Sequence, residues 1–331
     1  MANQTFAESS FSSSLSPYRN KLLNFSIVSA EAHEKITVKR KSSEELLEIR
    51  PTLHLFPITP FGETKTTLAD RISKHCATRE HHPYFKVSGV TAPAIAGSID
   101  EKFRVVPPLC AQFLNGTMIV DEFNTNPVDK SNAIGAALDV LESEESSRAM
   151  GRKPTKPCKN SGSGIQYEVT NGRIHFKGLR CNWIFLSAKY LQMNRSLPMA
   201  MLVSRTVPIW FDPSWEDLNA IDNDPDLLFK PLNLIAPKME TIDNPTYLEI
   251  REYVQKTLKL NQIPKSYYFR TVNDCVRAYV FNGYEHDWGF YDYILKNKTM
   301  FVSNVEKAGA SLAELEMLTE NAIESTKETS A

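Results

Sequence analysis

The sequence predicts an α/β fold in which five parallel strands form one sheet, helices flank that sheet, and a smaller helical unit follows. Short apolar segments alternate with segments of helical spacing, which is the pattern of a parallel sheet. The segment GTMIVDEFNT (116–125) is apolar on both faces, as a central parallel strand is. The 42% of apolar residues is enough to bury a sizeable core.

The predicted elements follow one another in a regular order. The strands are expected at 53–58, 84–90, 116–125, 182–190 and 207–214. The helices are expected after the turn at 59–67, at 131–149, between the last two strands, and at 246–258, 269–283 and 308–326. We therefore divide the chain into a short, flexible N-terminal segment (1–50), an α/β core (51–240), a helical lid (241–305) and a C-terminal helix or tail (306–331).

Composition excludes several classes of protein. Thirty-eight Lys and Arg against 39 Asp and Glu exclude a uniformly basic coat protein for nucleic acid, although they leave room for a local basic patch. No apolar run reaches the roughly 20 residues of a membrane-spanning helix, and no apolar segment follows a basic start. The five cysteines have irregular spacing and contain no CxxC pair. We expect a protein of the cytoplasm, nucleoid or nucleus that is not secreted.

The turn after the first strand has the layout of a phosphate-binding loop. In TPFGETKTT (59–67) a glycine-containing turn leads into Lys-Thr at the start of a helix. The amides at a helix N-terminus point at an anion, a lysine reaches the outer phosphates, and a threonine hydroxyl can ligate Mg²⁺. The candidate residues are Gly62, Glu63, Thr64, Lys65, Thr66 and Thr67. Because Thr59 and Thr64 stand where the usual pattern has glycines, a plain surface turn is the alternative.

Two carboxylates come directly after an apolar run within the predicted strand 116–125. Asp121 and Glu122 follow TMIV directly, and an ionised carboxylate is costly there unless it is paired or bound to a metal. At the carboxyl edge of a parallel sheet they would face the ligand crevice. Asp121 could then hold Mg²⁺, with Thr66, and Glu122 could polarise a water for attack on a γ-phosphate. The alternative is a strand that ends in solvent with two acids.

A basic hairpin is the third feature. Alternating runs at 164–178 flank Asn171 and Gly172, a pair that favours a tight hairpin turn. Segment 148–180 carries eight Lys and Arg against a single Glu. Arg173, His175 and Lys177 alternate along the second strand, so they should project from one side and suit contacts to a phosphate backbone. A solvated insertion is the alternative.

These features together resemble an AAA+ P-loop ATPase, and in detail the minichromosome-maintenance (MCM) helicase clade, over roughly residues 50–300. MIVDEF (118–123) resembles the Walker B strand, and the hairpin lies where that clade has its pre-sensor-1 hairpin insertion. IFLSAKY (184–190) resembles the sensor-1 strand, with Lys189 where the family usually has Asn. MAMLVSRTVPIWF (199–211) resembles the segment that carries the arginine finger, here Arg205. FRTVNDCVRA (269–278) resembles the sensor-2 helix, with Arg270 at the sensor-2 position.

The resemblance implies an AAA+ P-loop NTPase that binds ATP with Mg²⁺. It implies a homo-oligomer, such as a ring, in which Arg205 of one protomer completes the hydrolytic site of the next, and in which Lys189 and Arg270 take part in catalysis. The expected task is movement or remodelling of nucleic acid, DNA above all. Two alternatives stay open: a remodeller of protein complexes, or a nucleotide-responsive DNA-binding or assembly protein without hydrolysis. For Arg205 and Arg270, intrachain ion pairs are a further alternative.

Overall fold

The computed structural model describes most of the chain. The described residues are 16–39, 46–59, 63–88, 90–101, 104–123, 130–149, 166–170, 172–188, 197–261 and 265–307.

Thirteen strands and nine α-helices lie within these residues. The strands are β1 Ile36–Lys39, β2 Leu46–Ile49, β3 Leu55–Thr59, β4 Tyr84–Ser88, β5 Ser98–Ile99, β6 Val105–Val106, β7 Thr117–Asp121, β8 Ser146–Ala149, β9 Gln166–Thr170, β10 Arg173–Lys177, β11 Asn182–Phe185, β12 Ser187–Ala188 and β13 Val207–Trp210. The helices are α1 Pro17–Ser29, α2 Glu63–Thr78, α3 Ala92–Ala96, α4 Lys130–Ser143, α5 Leu197–Arg205, α6 Trp215–Asn223, α7 Asn244–Leu260, α8 Tyr268–Phe281 and α9 Trp288–Lys307.

The central sheet is parallel and confirms the prediction of five strands flanked by helices. Its order is β13–β3–β11–β7–β4, and the short β12 continues β11 alongside the end of β3. Every residue of β3, β7, β11 and β13 is buried, which explains why these segments are apolar on both faces. Each of the five predicted strand segments overlaps a strand of this sheet, although the observed strands are shorter.

The connections of the sheet diverge at its centre. From β3 the chain passes through α2 to β4 at one edge, and from β11 it passes through α5 to β13 on the far side of β3. Neighbouring strands whose connections leave in opposite directions create a crevice at the carboxyl ends of the strands. The start of α2 and the end of β7 therefore lie at the edge where parallel sheets bind ligands.

The predicted hairpin is confirmed. β9 and β10 pair in antiparallel register with Thr170 opposite Arg173, so two residues connect them, and Gly172 has a φ of +71°. β8 adds a third strand on the other side of β10. Ile174 and Phe176 are buried and anchor this small sheet to the core.

The N-terminal segment differs from the expectation of a flexible lead. Residues 17–29 form α1, which is buried and contacts β11, α8 and α9. Its buried set includes polar side chains, among them Arg19 and Asn24, so no apolar stripe marks the helix in the sequence. These groups find internal partners: Arg19 donates to the carbonyls of Leu227 and Leu228 at 2.8 and 2.9 Å.

The C-terminal helices form a unit that packs against the sheet. α7, α8 and α9 pack together, and α9 also contacts β13 of the sheet. Asn297 of α9 joins the two parts, because its side-chain oxygen accepts from the Trp210 amide at 2.8 Å and its carbonyl accepts from the Trp210 indole at 3.1 Å. None of the helices in the described ranges has the length and apolar character needed to cross a membrane. The helix expected at 308–326 lies outside the described residues.

An ion-pair cluster fixes the end of α1 to the sheet. Glu31 accepts two hydrogen bonds of 2.6 Å from Arg79, at the end of α2, and lies 2.8 Å from the imidazole of His82. The second ring nitrogen of His82 meets the hydroxyl of Thr117, at the start of β7, at 2.9 Å. Burial raises the pKa of Glu31, but the hydrogen bonds from His82 and Arg79 outweigh it and lower the pKa to about 2.

We predict that Glu31→Gln lowers the free energy of unfolding by about 1–3 kcal/mol near neutral pH, because charge-assisted hydrogen bonds are lost. A carboxylate with a depressed native pKa stabilises the fold above its unfolded pKa of 4.5, and loses that effect as the pH falls toward 2. Urea titrations at several pH values should therefore show the two proteins converging in acid. Glu80→Gln, at an exposed side chain nearby, is the control. A constant difference between pH 7 and pH 2 would contradict the assignment.

Candidate functional site

Lys65 lies against both carboxylates that end β7. Its Nζ is 3.4 Å from Asp121 Oδ1 and 3.8 Å from Glu122 Oε1. The Lys65 and Asp121 side chains are 9% and 3% exposed, whereas that of Glu122 is 51% exposed. The structure therefore brings together the three residues that the sequence proposed, at the carboxyl ends of the strands. Lys65 precedes Asp121 by 56 positions along the chain.

The partners of Asp121 explain how a buried carboxylate is tolerated. Oδ1 accepts the backbone N–H of Glu122 at 2.9 Å and faces Lys65, while Oδ2 accepts the Thr66 hydroxyl at 3.2 Å. Both oxygens thus have a donor, and the negative charge has a cation beside it. A buried charge persists only with such compensation.

Glu122 has an uncommon backbone conformation. Its φ is +53°, in the left-handed region that side chains other than glycine rarely adopt. The turn lets Phe123 donate to the Leu186 carbonyl at 3.1 Å, so the chain leaves β7 over the break between β11 and β12. Strained residues cluster at functional sites, where the surrounding structure enforces them. Here the strain sets a half-exposed carboxylate beside Lys65.

The chemistry of this group fits a phosphate and a divalent cation. Mg²⁺ is usually bound by one or two protein oxygens together with substrate phosphates, and Thr66 and Asp121 supply neighbouring oxygens. The first turn of α2, with Thr64, Thr66 and Thr67, presents backbone amides at the same edge. Among the described residues no cluster of three or more His, Cys, Asp or Glu could hold a metal by itself.

Some predicted residues fall outside this description. Gly62 and Lys189 lie outside the described residues, and so do the neighbouring segments 60–62 and 124–129. The side chain of Glu63, the first residue of α2, is likewise outside them.

The two predicted catalytic arginines lie together at the opposite end of the sheet, near the amino ends of its strands. Arg205 ends α5, just before β13 begins, and Arg270 lies in the first turn of α8. Both contact Glu142 Oε2, at 2.5 Å from Arg205 Nε and 3.0 Å from Arg270 Nη2. The strands of the sheet are about 15 Å long, so neither arginine shares a cleft with Lys65 of the same chain.

These arginines line a cavity of about 250 Å³, here called the arginine cavity. Its charged and titratable lining residues are Arg50, Arg205, Arg270, Arg277, Glu48, Glu142, Asp274 and His54. Burial, and then the charges of Arg277 and Arg50, lower the pKa of His54 to about 3. The imidazole is therefore neutral at pH 7, and its Nδ1 accepts the Trp183 N–H at 3.2 Å. The cavity has four permanent cations and three carboxylates.

Arg277 belongs to the framework of the cavity. Its guanidinium donates to the Arg50 carbonyl and to Asp274, each at 2.8 Å, and Lys298 of α9 lies 2.7 Å from the same carboxylate. Arg270 and Arg277 lie two turns apart on α8, but only Arg270 has a half-exposed partner, Glu142, whereas the Asp274 partner of Arg277 is buried. Glu142 was not among the predicted residues, since it is one of several acids in LESEES (141–146) and no spacing distinguishes it.

The basic face of the hairpin is as predicted. Arg173 and Lys177 are exposed and His175 is half-buried, in alternation with the buried Ile174 and Phe176. Arg173 donates to the Ser147 hydroxyl at 2.9 Å. Glu168, opposite His175 in the register, lies 3.5 Å from Lys177 and reduces the charge of this face.

Comparison with protein-family models and with curated protein sequences finds no match for this chain. The case for a function therefore depends on the geometry of these sites.

We predict that Glu122→Gly is more stable than Glu122→Ala by about 1 kcal/mol, because alanine keeps the steric cost of the left-handed region and glycine does not. Both variants lose the same side-chain contacts, so their difference isolates the backbone. Thermal or urea unfolding measures it. At Glu145, which is not among the residues of positive φ, the same pair of substitutions should favour alanine. Alanine favoured at both positions would contradict the strain at Glu122.

Proposed function

We propose that this protein is an ATP-binding and ATP-hydrolysing member of the AAA+ class, similar to the MCM helicases, that moves or remodels nucleic acid. The observation that carries the proposal is the position of Lys65 Nζ between Asp121 and Glu122 at the carboxyl edge of a parallel sheet. A cation at a helix start, a buried carboxylate and a half-exposed carboxylate are the components that phosphoryl transfer from a nucleotide requires.

Each of these residues has a distinct role. The ammonium of Lys65 and the first amides of α2 bind the outer phosphates, and the nearby Asp121 limits the motion of Lys65. Thr66 and Asp121 would hold Mg²⁺, which neutralises charge on the phosphates when it is bound. Glu122 accepts a hydrogen bond from the attacking water and takes up its proton. Its exposure allows that contact, whereas Asp121 is too buried for it.

The position of Arg205 supports hydrolysis that requires assembly. Transfer of a γ-phosphoryl group is accelerated by an arginine that contacts its oxygens, and Arg205 and Arg270 of the same chain lie at the other end of the strands. A head-to-tail contact between copies would place the arginine-cavity edge of one protomer against the Lys65 edge of the next. We therefore propose a ring or filament in which Arg205, with Arg270 beside it, acts on the nucleotide of a neighbour.

The hairpin supports nucleic acid as the substrate. Arg173, His175 and Lys177 form one face, which suits contacts to phosphates without reading of bases. Remodelling of a polypeptide by the same hairpin is the second candidate. The basic face favours a polyanion over a protein chain.

We predict that Lys65→Ala and Glu122→Gln each lower the ATPase rate by roughly 100-fold or more, since a phosphate-binding cation or a general base is lost. Arg205→Ala should lower it by roughly 1,000-fold. The measurement is phosphate release with and without single-stranded or duplex DNA. The controls are Lys256→Ala and Glu80→Gln, at exposed side chains away from the site. A low rate shared by the wild type and all variants would instead indicate a protein that does not hydrolyse ATP.

Mixing two inactive variants tests the action of Arg205 between copies. In a mixture of Lys65→Ala and Arg205→Ala, about a quarter of randomly formed head-to-tail interfaces have both residues intact. The mixture should regain activity that neither variant has alone. Failure to regain it, with mixed assembly confirmed by pull-down of a tagged partner, would place Arg205 outside the reaction.

We predict that Arg173→Ala with Lys177→Ala weakens DNA binding and lowers the slope of log K against log salt by about 1.5–2, because two phosphate contacts are lost. Fluorescence anisotropy at several salt concentrations measures both quantities. Lys256→Ala with Lys259→Ala removes the same charge from an exposed face of α7 and should have little effect. Equal slopes for both double variants would refute the hairpin as the contact and leave the ATPase proposal intact.

A further inference from the structure

The carboxylate of Glu142 lies where two guanidinium groups converge. Arg205 and Arg270 come from different helices, α5 and α8, yet both contact the same oxygen, Oε2. Burial would raise the pKa of Glu142, but the two arginines outweigh it and lower the pKa. Arginines that converge on one anionic oxygen form the arrangement that also binds a phosphate, because guanidinium groups recognise carboxylates and phosphates with the same N–H donors.

The two sides of this contact differ in how firmly they are held. The side chain of Arg205 is only 11% exposed, and its Nη1 also donates to the Met201 carbonyl at 3.2 Å. The side chain of Glu142 is 50% exposed. It lies in the last turn of α4, where the helix dipole disfavours a negative charge. Glu142 can therefore turn out into solvent while Arg205 stays in place.

We propose that Glu142 masks an anion-binding site, and that a phosphate group displaces its carboxylate from Arg205 and Arg270. A phosphate dianion brings more negative charge to the two cations than a single carboxylate, and Arg50 and Arg277 add to the positive lining of the cavity. That the natural phosphate is the γ-phosphate on a second copy rests on the proposed function. The masked anion site itself does not depend on it.

The experiment measures binding of inorganic phosphate to the intact protein. In isothermal titration at constant ionic strength, Glu142→Gln should bind phosphate roughly fivefold more tightly than the wild type, because the competing charge is gone. Glu142→Gln with Arg270→Ala should lose this gain. Phosphate bound near Lys65 contributes equally to all variants and cancels in the comparison.

A matched control variant and two possible results test whether Glu142 masks the anion site. Glu145→Gln removes the same charge three residues further along, at an exposed side chain without an ion pair among the described residues, and should leave phosphate binding unchanged. Glu142→Gln that binds phosphate no more tightly than the wild type would overturn the proposal. So would a gain that survives Arg270→Ala, because it would arise outside the arginine pair.

A second measurement separates this inference from the proposed function. If the γ-phosphate of a neighbour is the displacing group, ATP-dependent self-association should occur at lower protein concentration in Glu142→Gln, as sedimentation would show. Tighter phosphate binding with unchanged self-association would support the masked anion site. It would exclude the γ-phosphate of a neighbouring copy as the group that displaces Glu142. If phosphate binding is unchanged while ATPase activity requires Lys65 and Arg205, the masking by Glu142 is refuted and the proposed function is not.

Discussion

The structure depends on the compensation of one buried charge, the carboxylate of Asp121 at the end of an apolar strand. Without partners, an ionised side chain at 3% exposure would cost several kcal/mol of stability. Lys65 and Thr66 from the first turn of α2, together with the amide of Glu122, supply those partners. This requirement ties the start of α2 to the end of β7 across the crevice. The same contacts that stabilise this buried carboxylate therefore hold a lysine ammonium and two carboxylates together at the carboxyl ends of the strands.

The polarity of a parallel sheet then separates the charged groups of the chain. Residues that follow strands collect at the carboxyl edge, and residues that precede them collect at the amino edge. Lys65, Asp121 and Glu122 belong to the first set, whereas Arg205, which precedes β13, belongs to the second. The side chains cannot bridge a strand length of about 15 Å. Under the proposed function, a reaction that needs both sets therefore requires contact between copies.

The sequence was sufficient for the parts of the fold that periodicity encodes. The buried strands follow from apolar runs, and the hairpin follows from the alternating runs around Asn171 and Gly172. The convergence of Lys65 with Asp121 follows from the direction of the parallel strands. α1 could not be predicted, because Arg19 and Asn24 are satisfied by carbonyl groups more than 200 positions away and thus interrupt any apolar stripe. The positive φ of Glu122 and the role of Glu142 also depend on tertiary contacts. In the sequence, Glu142 is indistinguishable from Glu144 and Glu145.

Helix α4 extends from the carboxyl ends of the strands, near Glu122, to their amino ends, near Arg205. It is therefore the element that would link the two sites in the proposed reaction. The helix follows the β7 turn that holds Glu122, and its last turn presents Glu142 to Arg205 and Arg270. Fourteen residues span about 21 Å, so α4 covers the length of the strands. If α4 shifts as a rigid body, its last turn moves together with its first turn. Because Arg205 Nε lies 2.5 Å from Glu142 Oε2, a displacement of about 1 Å at that end would weaken the attraction between the two charges appreciably. Under the proposed function, α4 is therefore the element through which nucleotide binding at Lys65 would change how readily Glu142 releases Arg205 and Arg270.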